Sequence, residues 1–298
     1  LSGSKSSFEV VVPGKWILAG EHSVLRGSEA LVFPLKSKYL KLIYTKSSAE
    51  LELVIQGEKK AELELIIWSV IEKALNELNI KRNQITGFVK IESHIALGGG
   101  MGASATLCVA LTEWFSYLGF VENDNKFNFA RNLENLFHGE SSGVDVAVTL
   151  AKKPLVFTRN LGFSELTTTT LPLLYLSYSG ERGVTKDCIE KVKALFVSNP
   201  DLAKNIDQQM DESVRTFKEL LNSPLNLISW SEAIIKSNNC FVQWGLLTPN
   251  VKLHQQKLKD AGALAVKLTG SGGGGYVLSL WENQPPKSLD FEMIACFE

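Results

Sequence analysis

Leu97-Gly98-Gly99-Gly100-Met101-Gly102-Ala103-Ser104-Ala105 is the stretch on which the reading of this chain turns. A β-rich run precedes it at residues 88–91, and a strongly apolar helical pattern follows over about 103–118. Glycines let the backbone adopt positive φ and approach a ligand closely. The helix beyond them offers free N–H groups and the positive end of its dipole, a combination that favours phosphate. Ser104, in the first turn, can present its hydroxyl to a phosphate-bound Mg²⁺. Two other readings stand beside this one. Gly98, Gly100 and Ala103 satisfy the dinucleotide fingerprint G-x-G-x-x-A, although the acid that should end a second strand is replaced by the polar loop 121–126. A tight turn without a ligand is the third. No Lys-Ser/Thr follows the glycines, which excludes a Walker A loop.

Working outward, residues 8–12 and 16–19 read as two short strands broken by Pro13-Gly14, with more strand signal at 31–44 and 51–55. Residues 60–78 carry apolar side chains near a 3.6 period and predict a helix, as do 126–137. A polar tract at 167–170 precedes a new strand at 173–176 and marks a domain boundary, giving an N-terminal domain 8–166 and a C-terminal domain 167–298. Helices are predicted at 185–197, 205–221 and 230–245. Thr248-Pro249 is a start signal for another, which Gly262 ends. Strands follow at 265–268 and 276–280. The class is α+β in two domains.

The helix at 126–137 places Glu134 on the same side as Ala130, Leu133 and Phe137. A carboxylate there is costly unless a cation or a hydrogen-bond donor meets it. Gly139 ends the helix, and a turn at 140–143 leads to Asp145 among small apolar residues. Two acids flanking a turn suit one metal ligand and one proton acceptor; an edge ion pair and a helix cap suit them equally. Lys15 and His22, in Pro13-Gly14-Lys15 and Gly20-Glu21-His22-Ser23, read by themselves as a snorkelling lysine and a satisfied polar residue. Near the other end, Lys267-Leu268-Thr269-Gly270-Ser271-Gly272-Gly273-Gly274-Gly275 joins two strands. So many glycines there imply close backbone approach to something.

Composition narrows the classes. The 298 residues carry 31 Lys+Arg against 32 Asp+Glu, a net charge of -1 that gives no reason to expect nucleic acid or a membrane surface as partner. Cys108, Cys188, Cys240 and Cys296 form no C-x-x-C pair, the usage of a reducing cytoplasm. The four histidines have no zinc spacing. No signal peptide is visible, and no apolar stretch approaches the roughly 20 residues a bilayer span needs.

The order P-G-K…G-E-H-x-V, a glycine loop ending in S-A, E-x-x-x-H-G-x-x-S-G-x-D and K-L-T-G-x-G-G-G-G resembles the galactokinase–homoserine–mevalonate–phosphomevalonate (GHMP) kinase superfamily, and its mevalonate kinases most of all. The resemblance runs from about residue 10 to 280. It implies a ribosomal-protein-S5-like N-terminal domain, a ferredoxin-like C-terminal domain and an active site between them. It implies Mg²⁺-dependent transfer from ATP to the 5-hydroxyl of mevalonate, or to a related alcohol such as phosphomevalonate or homoserine. By position, Gly98, Gly99, Gly100, Met101, Gly102, Ala103 and Ser104 would hold ATP, and Ser104 and Glu134 the metal. Asp145 would be the catalytic acid/base with Lys15 beside it, and Glu21, His22, Ser142 and Gly272 would meet the acceptor. Arg182 and Thr185 fall near a further family stretch with shifted spacing. Leu97, Met101 and Ala103 depart from the usual loop. Ser141 stands where the turn usually has proline, which mainly loosens a pre-set φ. A cytoplasmic enzyme follows, with a homodimer left open.

Overall fold

The computed structural model describes residues 7–55, 60–95, 99–138, 141–159, 161–168 and 171–297. Gly98, Gly139, Glu140, Thr169 and Thr170, on which expectations above fell, lie outside the described residues. The chain forms two compact units. One comprises Leu1–Gly14, Lys36–Ala96 and Gly102–Lys152; the other comprises Lys15–Leu35, Leu97–Met101 and Lys153–Glu298.

Two long strands contribute to both units, β1 (Ser7–Ala19) and β2 (Glu29–Glu50). Pro13-Gly14 does not break β1. Among the described residues its strand partner is β2, and a strand paired on one side tolerates a proline because the missing N–H leaves no gap in a second ladder.

In the first unit, β3 (Glu52–Ile55) pairs in parallel with β4 (Thr86–Ser93), from Glu52↔Phe88 to Ile55↔Ile91. Parallel neighbours require a crossover, which α1 (Lys60–Leu78) supplies. β4 also runs antiparallel to β2, from Leu40↔Ser93 to Thr45↔Phe88, before the register shifts ahead of Glu50↔Thr86. Gly87 sits at that irregularity with φ +113°, and a Cβ there would lie 2.4 Å from the Thr45 carbonyl. Three further helices follow, α2 (Ala103–Tyr117), α3 (Lys126–His138) and α4 (Val144–Ala151). α2 is apolar on nearly every side and is accordingly buried on nearly every side, with Cys108, Leu111 and Trp114 in a core shared with Leu42, Ile71, Val89, Leu133 and Val146. The pattern that predicted α1, α2 and α3 placed them within a residue of their observed ends. α4 is too short for a helical period to be visible in sequence.

In the second unit, the opening of β2 pairs with β5 (Leu155–Thr158) and β5 with β6 (Gly162–Glu165), a hairpin the sequence reading missed. A separate antiparallel sheet has the order β10-β7-β9-β8, from β7 (Leu173–Tyr178), β8 (Ala265–Leu268), β9 (Tyr276–Trp281) and β10 (Ile294–Ala295). Its helices are α5 (Thr185–Ser198), α6 (Pro200–Leu221), α7 (Leu227–Gln243) and α8 (Pro249–Asp260). α6 starts five residues before the predicted 205, because Asn199 caps it through Leu202 N–H with Pro200 at the first turn. α7 likewise starts at Leu227, capped by Asn226. Thr248 caps α8 as expected, its Oγ1 accepting from Val251 N–H at 3.2 Å, and Gly262 follows the helix end with φ +105°.

Candidate active site

The first unit holds the carboxylates. Its α2 begins at Ala103 with Gly102 as the N-cap in the left-handed region, φ +76°. Glycine has no side chain with which to cap, so the first-turn N–H groups keep their affinity for an anion. Ser104 lies in that turn, half-buried. α2 packs against both α3 and α4, which brings the helices bearing Ser104, Glu134 and Asp145 together.

Glu134 is 2% exposed on α3, beside the fully buried Ala130 and Leu133. One group that meets this buried carboxylate is a hydroxyl: Ser141 Oγ donates to Glu134 Oε2. The same hydroxyl accepts from Gly143 N–H at 3.0 Å. Ser141 N–H donates to Asn135 Oδ1 at 2.8 Å, and its carbonyl accepts from Arg131 Nε at 3.1 Å. Gly143, at φ +86°, is the N-cap of α4, and a Cβ there would come within 3.0 Å of Phe127. Val144 N–H donates to Ser142 Oγ at 3.4 Å. Asp145 follows in the first turn of α4, half-buried, where the helix dipole favours its negative charge. Burial first, and the Glu134 charge second, hold the Cys108 thiol well above its ordinary pKa, so it remains a neutral packing group.

The oxygen donors of Ser104 and Glu134 suit a hard cation such as Mg²⁺. Among the described residues no cluster of three or more His, Cys, Asp or Glu forms a cage. Mg²⁺ is characteristically held by one or two protein oxygens together with substrate phosphates, so the residues present fit it.

The second unit holds the lysines and the second glycine run. Lys15 is 3% exposed, and its N–H donates to the Met101 carbonyl at 3.1 Å, tying β1 to the stretch that also contains Gly99 and Gly100. Gly20 turns the chain at φ +99°, in a space where a Cβ would be 2.3 Å from the Glu29 carbonyl. Glu21 follows, 1% exposed at the side chain, its Oε1 accepting from Lys267 Nζ at 2.6 Å; Lys267 is itself 0% exposed. Burial drives each of the two toward its neutral form, and each is opposed chiefly by the other's charge. Among the described residues Glu21 Oε2 has no hydrogen-bond partner.

His22 has φ +60° and lies among Trp244 and Phe241, at ring-centroid distances of 5.1 and 6.4 Å. Its Nε2 is 2.8 Å from the Ser271 carbonyl. A carbonyl only accepts, so Nε2 carries the proton; in the neutral ring Nδ1 is then a bare acceptor. Burial pushes the ring pKa down to about 4, so it is neutral near pH 7, and among the described residues Nδ1 has no hydrogen-bond partner.

Thr269 bonds β1 twice, donating to the Ile17 carbonyl at 2.9 Å and accepting Ile17 N–H at 3.0 Å. The glycines beyond it have positive φ, and what approaches them closely is largely this chain itself. A Cβ on Gly272 would lie 2.9 Å from Leu246 Cβ, one on Gly273 2.8 Å from Cys188 Sγ, and one on Gly274 2.6 Å from the Glu181 carbonyl. Ser271 Oγ meets Thr185 Oγ1 at 3.1 Å, and Arg182 is exposed. Lys267, Thr269, Ser271 and Ser141 were not singled out as site residues by the sequence reading. The K-L-T run carried a signal for the first two: a lysine at a fully buried strand position demands a buried acid.

The GHMP kinases N terminal domain model matches residues 66–153 and the GHMP kinases C terminal model residues 214–289, together more than half of the chain. The chain belongs to the GHMP kinases. Among curated relatives, the mevalonate kinase of Thermococcus onnurineus is 28% identical over 295 residues, covering 90% of this chain and 87% of that protein. The crystal structure of L. major mevalonate kinase in complex with R-mevalonate superposes with a TM-score of 0.81 at 22% identity, over 94% of this chain and 89% of that one. The Methanococcus jannaschii mevalonate kinase follows with 0.78 at 18% identity, over 99% and 98%. These structures share the two-domain α+β fold. Among the described residues no helix is long and apolar enough to cross a membrane.

Proposed function

We propose that this kinase transfers the γ-phosphoryl group of ATP to the 5-hydroxyl of mevalonate, in line and without a phosphoenzyme, in the cytoplasm. The observation that carries the acceptor is the similarity to mevalonate kinases over about nine-tenths of the chain. The buried Glu134 next to the turn that leads to Asp145 supports the chemistry.

Residues 98–104, with Ser104 in the first turn of α2, bind the phosphates through backbone N–H groups. Ser104 and Glu134 hold Mg²⁺, which when bound neutralises charge on the phosphate oxygens. Asp145 accepts the proton of the acceptor hydroxyl as the oxygen attacks. Lys15 supplies a fixed positive charge for the transferring group. On the acceptor side, His22 Nδ1 and Glu21 Oε2 are desolvated acceptors for hydroxyl groups, joined by Ser142 and the loop at Gly272. On this reading residues 8–166 are the nucleotide domain and 167–298 the C-terminal domain, although the compact units group residues 15–35, 97–101 and 153–166 with the C-terminal part.

The test is ADP release by the purified protein with Mg²⁺-ATP and, separately, mevalonate, phosphomevalonate, homoserine and galactose. Turnover is expected with mevalonate above all others. Turnover with phosphomevalonate or homoserine and not with mevalonate overturns the acceptor while leaving the reaction class intact.

A further inference from the structure

We infer that Ser141 is a positioning residue whose hydroxyl fixes Glu134 for metal binding and couples it to the helix that carries Asp145. The inference rests on Glu134 being a metal ligand. Proline at this point of the turn offers neither an N–H nor a hydroxyl. In this chain both are used.

The hydroxyl has one proton and two lone pairs. The proton goes to Glu134 Oε2, so the oxygen is left as an acceptor for Gly143 N–H, at 3.0 Å. Direction is thereby fixed. The Ser141 N–H goes to Asn135 Oδ1 and the Ser141 carbonyl receives Arg131 Nε, so α3 clamps the residue from two further positions. Ser141 is 4% exposed and Glu134 2%, and water does not readily replace a bond between groups so enclosed. A hydroxyl-to-carboxylate bond in that setting is charge-assisted and stronger than a neutral one.

The consequence is a chain of two hydrogen bonds running from a carboxylate of α3, through one hydroxyl, to the N-cap of α4. Asp145 stands two residues beyond that cap. Removing the hydroxyl takes away the bond that ties the Glu134 carboxylate to the start of α4. Partners of metal ligands typically contribute about 10–100-fold to metal affinity.

The experiment compares Ser141→Thr with Ser141→Val, side chains of one shape that differ in the hydroxyl. The readout is the gain in affinity for a non-hydrolysable ATP analogue when Mn²⁺ is added, measured by titration with and without the metal. Ser141→Thr is expected to keep the gain. Ser141→Val is expected to lose about tenfold of it, with metal-free binding of the analogue unchanged. Equal gains in the two variants overturn the inference, as does an equal loss in metal-free binding. Glu134→Gln is the control for the reading beneath it. If Glu134→Gln leaves the Mn²⁺ gain intact, Glu134 is not a ligand and both fall. If it abolishes the gain while Thr and Val remain alike, only the role of Ser141 falls. Should Ser141→Val not fold, Ser141→Ala against Ser141→Thr makes the same comparison.

Discussion

The segment 141–143 ahead of α4 and the loop at 269–275 both stand beside candidate site residues, yet they are held largely by different means. The turn is held by polar side chains: Ser141, Asn135 and Arg131 place hydrogen bonds on named atoms. The loop is anchored at its start by the hydroxyls of Thr269 and Ser271, and beyond them it is held by close backbone packing, its glycines set on Leu246, Cys188 and the backbone at 181–183. The charges beside them differ in the same sense. Asp145 is half-buried at a helix start, whereas Glu21 and Lys267 are sealed against each other at 2.6 Å. A group that must exchange a proton has to remain reachable. A sealed ion pair sets shape. Substitutions that break the sealed pair should therefore act strongly on stability as well as on acceptor binding, and substitutions at the turn mainly on rate.

Breaking the sealed pair gives the largest stability effect. Lys267→Met leaves Glu21 as an uncompensated buried carboxylate and is expected to cost about 3–5 kcal/mol in denaturant unfolding. The double variant with Glu21→Gln should recover much of that loss, since the stranded charge is then gone. A single-variant loss under about 1 kcal/mol would mean the pair is solvated.

A smaller effect sharpens the comparison through pH. His22 has a folded pKa of about 4 against 6.5 unperturbed, mainly through burial. Between those values the unfolded chain takes up a proton that the folded chain does not, so stability falls as pH falls from 6.5 toward 4. The span is on the order of 3 kcal/mol for one such group, with Arg26 and Asp207 acting on the ring in opposite directions. Unfolding midpoints over that range should slope in the parent protein and flatten in His22→Asn. An unchanged slope would place the titration elsewhere.

Much of this was legible in sequence, and for physical reasons. Periodicity set α1, α2 and α3 because each buries a continuous stripe or cylinder, and the capping chemistry of Thr248-Pro249 set α8. β1 was read as two strands because proline was taken as a break, while pairing on one side removes the conflict. The buried side of Glu134 was readable from its spacing. Its bond with Ser141 was not: a serine seven residues on is brought to the carboxylate only by the folded chain. The glycines of the second loop were read as close backbone approach to something, and Leu246, Cys188 and the backbone at 181–183 of the chain itself lie close to Gly272, Gly273 and Gly274.

The most direct test of the account is the rate and the stability of one variant measured on the same sample. Asp145→Asn keeps the shape of the first turn of α4 and removes the proton acceptor. The expected result is a fall in kcat on the order of 10²–10⁴-fold, with ATP affinity and the unfolding midpoint retained. Full turnover in Asp145→Asn, or a loss of rate matched by a loss of folded protein, would contradict the claim that the turn after α3 is where the chemistry is done.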